Sequence, residues 1–116
     1  MRSKELLNRV LEELIRDSII KECKLLGFKK KVLDNLELIF EKEVKIEGQL
    51  VSLIIDPYYS NISAYIVKNE EWVELLDECL ITYNEHDFID GRNNISYIVY
   101  PVLTRKVIEY NNNITS

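Results

Sequence analysis

Leu38-Ile39-Phe40-Glu41-Lys42-Glu43-Val44-Lys45-Ile46-Glu47-Gly48-Gln49-Leu50-Val51-Ser52-Leu53-Ile54-Ile55 reads as two strands and the turn that joins them. In the first half Leu38, Phe40, Val44 and Ile46 alternate with Glu41, Glu43 and Lys45, and Lys42 interrupts the inner row. A period of two with one polar face describes a half-exposed strand near a sheet edge. Glu47-Gly48-Gln49 supplies the tight turn. The run from Leu50 to Ile55 is apolar on both faces apart from Ser52, the pattern of a central strand covered on two sides.

Downstream, Asp56-Pro57-Tyr58-Tyr59-Ser60-Asn61 is rich in turn formers, and Ile62-Ser63-Ala64-Tyr65-Ile66-Val67 reads as a third strand, again buried on both sides. Asn69 is placed to cap a helix that begins at Glu70-Glu71, with Trp72, Val73, Leu75, Leu76, Cys79, Leu80 and Tyr83 as its apolar face. Residues 84–94 read as loop, with Asp90-Gly91 as a turn signal. Residues 95–100 read as a strand stopped by Pro101, followed by a short helix over 102–110 and a frayed tail over 111–116. Upstream, residues 4–26 space Leu6, Leu7, Val10, Leu11, Leu14, Ile15, Ile19, Ile20, Cys23 and Leu26 by threes and fours, the mark of one broad helical face. Ser3 fits the N-cap of that helix and Gly27 its C′ position.

With 116 residues, 47% hydrophobic and 30% charged, the chain has material for one domain (core about 4–110) and one core. The expected class is α/β (α+β): an αβββαβ order with a small mixed sheet of about four strands flanked by helices. No apolar run reaches the roughly 18 residues that cross a bilayer. Met1-Arg2-Ser3-Lys4-Glu5 leads into the amphipathic repeat rather than a signal-peptide core, so a cytoplasmic address and no membrane partner are expected.

A net charge of −5 disfavours nucleic-acid binding through bulk electrostatics. The densest basic cluster, Lys29-Lys30-Lys31, reads as a solvated exit from the first helix. Tyr58, Tyr59, Tyr65, Tyr97 and Tyr100 read as amphipathic rim and core residues, because no basic residues interleave them as a base-stacking surface requires. Cys23 and Cys79, both on expected helices, match no metal or redox spacing and read as small buried hydrophobes. His86 is the sole histidine, so a histidine-based metal site or catalytic triad lacks material.

Glu43-Val44-Lys45-Ile46-Glu47-Gly48-Gln49-Leu50-Val51-Ser52-Leu53-Ile54-Ile55 followed by Ala64-Tyr65-Ile66-Val67-Lys68-Asn69 resembles the hairpin and motif strand of the restriction-endonuclease-like fold, the PD-(D/E)XK superfamily. Tyr97-Ile98-Val99-Tyr100-Pro101 is similar to that family's strand after the second helix, so the resemblance spans about residues 4–101. It implies a cleft in which two carboxylates hold a divalent metal and a lysine assists. Carried over, the two acidic positions fall on Ser52 and Ile66, and the lysine on Lys68. A hydroxyl is a poor ligand for a hard cation and an isoleucine is none. The resemblance therefore implies a degenerate site, with no cofactor and no metal.

Three functional readings follow. The first is a non-catalytic accessory protein of this fold that acts by binding a macromolecule, a protein or a second copy of itself, for example in virus–host or toxin–antitoxin conflict. The second is a nuclease using Mg²⁺ or Mn²⁺ through Asp34, Glu43 and Lys45, since Glu43-Val44-Lys45 is a literal E-x-K. Against it, too few residues separate Gly27 from Leu36 to hold the strands that should precede the motif. The third is an unrelated α+β interaction module, which an all-antiparallel sheet would favour. A strand over 95–100 lying parallel beside 62–67 would favour the nuclease-like topology.

Overall fold

The structure, a computed structural model, describes residues 2–79, 95 and 99–115. The order is α1 (Arg2–Leu25), β1 (Lys29–Val32), β2 (Leu38–Ile46), β3 (Gln49–Asp56), β4 (Asn61–Lys68), β5 (Glu71–Cys79) and α2 (Tyr100–Thr115). The strands form one sheet in the order β1-β2-β3-β4-β5, every neighbouring pair antiparallel. The class is α+β, with two described helices and a five-stranded meander.

Helix α1 stops where Gly27 allows it. The Phe28 N–H donates to the Cys23 carbonyl at 2.9 Å and the Gly27 N–H to the Lys24 carbonyl at 3.2 Å, with Gly27 at φ 81°. This pair of bonds is the Schellman arrangement, and the left-handed backbone at its C′ residue favours glycine. The lysine that breaks the inner row of β2 has a use at the same corner. The Lys42 ammonium donates to the Leu26 carbonyl and lies 5.9 Å from the centre of the Phe28 ring. It places a cation at the negative end of the helix.

Alternation sorts the sheet into two faces. Phe40, Val51, Leu53, Ile55, Ile62, Ala64, Ile66 and Leu76 are buried on one of them. Against that face pack Ile15, Ile19 and Cys23 from α1, and Leu103 and Val107 from α2, in one apolar cluster with Ile95 and Val99. Both described helices therefore lie on the same side. The far end of α2 is tied to the β2–β3 turn: Gln49 Nε2 donates to Asn111 Oδ1 at 2.8 Å, and Asn111 Nδ2 to the Glu47 carbonyl at 3.0 Å.

Several expectations are corrected. The sheet has five strands and is antiparallel throughout, not about four in a mixed arrangement, and the two described helices both lie on one face rather than flanking it. The helix expected from Glu70 is strand β5, which also carries Cys79. Asn69 and Glu70 have φ of 51° and 67°, so they form a two-residue hairpin turn in which Asn69 takes the left-handed role instead of capping a helix. The helix-like spacing of Val73 and Leu76 has a strand cause. Ala64 pairs with Leu76 and Tyr65 with Glu74, so Leu75 is an extra, bulged residue and successive inward positions fall three apart.

Lys29-Lys30-Lys31 is not a bare helix exit but strand β1, paired with Ile39–Glu41. The strand expected over 95–100 gives way to helical backbone at Ile95, Val99 and Tyr100, and Pro101 sits in the first turn of α2, where its missing N–H costs nothing. The neighbours of β4 are β3 and β5, both antiparallel. Helix α2 runs on through residues 111–115, which were expected to fray. The loop expected over 84–94, the Asp90-Gly91 turn, His86 and Tyr97 lie outside the described residues.

Candidate functional site: the open face of the sheet

The second face of the meander carries no described helix. Register assigns to it Lys29, Lys31, Ile39, Glu41, Glu43, Lys45, Leu50, Ser52, Ile54, Ser63, Tyr65, Val67, Trp72, Glu74 and Asp77. An apolar band crosses it, and its two large end members stay in solvent: Trp72 is 58% exposed and Leu50 44%. The Trp72 ring stands edge-on to Tyr65, with centroids 5.4 Å apart and planes at 65°. That geometry suits the ring quadrupoles and fixes the indole over the sheet. A shallow groove of about 430 Å³ is lined by Gly27, Lys29, Glu41, Lys42, Glu43, Ser52 and Trp72. Its wall mixes both signs of charge with one exposed indole.

Residues carried over from the nuclease-like resemblance are not brought to one place. Ser52 pairs with Tyr65, so the two share the open face, whereas Ile66 pairs with Val51 and is fully buried on the covered face. Lys68 has the parity of Ile66 and is exposed at the end of β4, opposite Glu71. Ser52 and Ile66 thus point to opposite sides of the sheet.

The second set, Asp34, Glu43 and Lys45, fares no better as a cluster. Glu43 and Lys45 are exposed on the open face, and Asp34 is exposed in the β1–β2 connection. Glu43 lies five residues into β2 from Leu38, about 17 Å along the strand from that connection at ~3.3 Å per residue. Among the described residues, no group of three or more His, Cys, Asp or Glu is arranged to hold a metal ion. What the structure does bring together is Glu43 and Ser52, cross-strand partners within the groove. Trp72 was legible in the sequence only as part of a helical apolar face. Its place on the open face becomes readable once Asn69-Glu70 is taken as a hairpin turn.

The described tyrosines do not form a common surface. Tyr58 and Tyr59 occupy the β3–β4 turn, held by Asp56, whose Oδ1 accepts from the Tyr58 N–H at 3.0 Å. The Arg16 guanidinium sits 4.4 Å from the centre of the Tyr58 ring, joining that turn to α1. Tyr65 is on the open face and Tyr100 at the start of α2.

Buried titratable groups lie on the helix side. Glu22 is buried, and its Oε1 accepts from the Ile95 N–H at 2.8 Å. Burial, and then the neighbouring Glu22 carboxylate, pushes the Cys23 thiol up from 9.0 to about 12. Burial, Glu22 and Cys23 in that order raise the Tyr100 phenol. A thiol held protonated in this way is a poor nucleophile. Among the described residues, no helix is long and apolar enough to cross a membrane. No family model matches the chain, and no curated protein or solved structure matches it at a significant level.

Proposed function

We propose that this chain is a non-catalytic binding module that engages a protein partner through the open face of its sheet. The observation that carries this reading is the exposed Trp72, braced on Tyr65 beside a groove of mixed charge. Exposed aromatic anchors flanked by polar groups are the usual energetic centres of protein interfaces. An antiparallel sheet with one face packed and the other solvated is a common architecture. What calls for a partner is the large apolar side chains on the solvated side.

Of the two non-catalytic readings, the all-antiparallel order and the opposite facing of Ser52 and Ile66 favour an independent interaction module over a nuclease-like accessory protein. The nuclease reading, with Mg²⁺ or Mn²⁺ at Asp34, Glu43 and Lys45, draws no support from the separation of Asp34 and Glu43. An affinity pull-down from the native cell, run with the natural chain and with Trp72→Ala and Leu50→Ser, tests the proposal. A partner retained by the natural chain and lost by both variants, with their circular dichroism unchanged, is the expected result. Cleavage of DNA or RNA in Mg²⁺ or Mn²⁺ that Glu43→Ala abolishes would overturn it.

A further inference from the structure

The two edges of the sheet carry opposite charge. Strand β1 presents Lys29, Lys30 and Lys31, all exposed, and β5 presents Glu71, Glu74 and Asp77, also exposed. Neither strand has a described strand on its outer side. Among the described residues each edge is therefore without a strand partner on its outer side, and unpaired strand backbone is a template for another strand.

Face parity makes the match specific. Lys29 pairs with Glu41 and Lys31 with Ile39, which places both lysines on the open face, two residues apart. Glu74 pairs with Tyr65 and Asp77 with Ser63, so the Leu75 bulge makes these two acids successive open-face positions as well. Asp77 Oδ1 accepts from Asn61 Nδ2 at 3.0 Å and from Ser63 Oγ at 3.4 Å, both on β4, which fixes that carboxylate on the open face. One edge thus shows two cations, and the other two anions, at the same spacing of about 7 Å on the same face.

We propose that β1 of one molecule docks beside β5 of a second copy, continuing the sheet head to tail. In an antiparallel meander of five strands the first and last run in the same direction. A copy set alongside with its helices on the same side therefore meets its neighbour in a parallel pairing, with Lys29 and Lys31 facing Glu74 and Asp77. The symmetric alternatives are disfavoured, because β1 against β1 or β5 against β5 sets like charges opposite each other. A head-to-tail junction repeats without closing unless the rotation between copies completes a ring. This inference rests on the reading of the chain as a binding protein but concerns the edges of the open face, where Lys29 also borders the groove, rather than the apolar band at its centre.

Sedimentation velocity on the full chain over a range of concentrations tests it. The natural chain is expected to associate at low salt and to dissociate as salt rises. Lys29→Glu with Lys31→Glu, and separately Glu74→Lys with Asp77→Lys, are each expected to weaken association on the order of tenfold, as attractive cross-strand pairs become repulsive. An equimolar mixture of the two double variants is expected to restore association, because each then presents what the other lacks. Leu50→Ser is expected to leave association unchanged, so loss of open-face binding and loss of edge docking are told apart. A natural chain that stays monomeric at low salt would overturn the inference, as would a closed dimer indifferent to the charge reversals or a mixture that fails to associate.

Discussion

The two faces of the same sheet are built from alternate residues of the same strands, yet they do different work. On the covered face the buried side chains of β2 to β5 are aliphatic or aromatic and meet the two described helices in one cluster. On the open face the same strands present charges, hydroxyls and a few large apolar groups, with Trp72 and Leu50 in solvent. The first face holds the chain together, and the second is the one we propose for recognition. Substitutions on the two should therefore separate cleanly, with stability lost on one and binding on the other.

The sharpest version of that contrast is Leu53→Ala against Leu50→Ser. Leu53 is fully buried at the centre of the middle strand, and truncation should cost about 2–5 kcal/mol in a urea titration. An equal loss for the two variants would erase the distinction between the faces. The helix side should also carry a pH signature. A raised folded-state pKa at Cys23 means stability is intact below 9.0 and is lost as pH climbs from there toward about 12. Tyr100, raised as well, acts in the same direction. Urea midpoints should fall across that window and fall less steeply in Cys23→Ala; an identical slope would contradict the burial of the thiol. Lys42→Met should cost about 1 kcal/mol by removing the hydrogen bond to the Leu26 carbonyl, and a neutral result would deny that corner its role.

Smallest of these is Glu70→Gly. Glu70 sits at φ 67° in the β4–β5 turn, so glycine should stabilise the chain by roughly 0.5–1 kcal/mol through relief of a left-handed backbone. In the first turn of a helix the same change would destabilise. The sign of this effect therefore distinguishes a hairpin from a helix over the region where sequence and structure disagree.

That disagreement has local causes. Strands β2, β3 and β4 were legible because their inward residues keep a period of two, interrupted in β2 only by Lys42. Strand β5 was not, because the Leu75 bulge turns that period into the three-residue step of Val73 and Leu76, and because Asn69 suits an N-cap as well as a left-handed turn. Strand β1 carries no buried side chain at all, so only its backbone pairing with β2 defines it. Near the C-terminus, Ile95, Val99, Leu103 and Val107 recur every four residues and are all buried. The β-rich composition of 95–100 masks that helical signal, and Pro101 suits a strand stop as well as the first turn of a helix. At the candidate site, the charged and exposed nature of Glu43 and Lys45 was readable. The opposite facing of Ser52 and Ile66 depends on the β3–β4 register, which motif spacing does not reveal.

The central claim, that β5 is a strand whose Trp72 stands in solvent on the face opposite the described helices, can be checked with the intrinsic fluorescence of the chain, because Trp72 is its single tryptophan. The native protein should emit at long wavelength and be readily quenched by acrylamide, as a half-exposed indole requires. A blue-shifted emission shielded from acrylamide until the protein unfolds would place Trp72 in the core and contradict the open face.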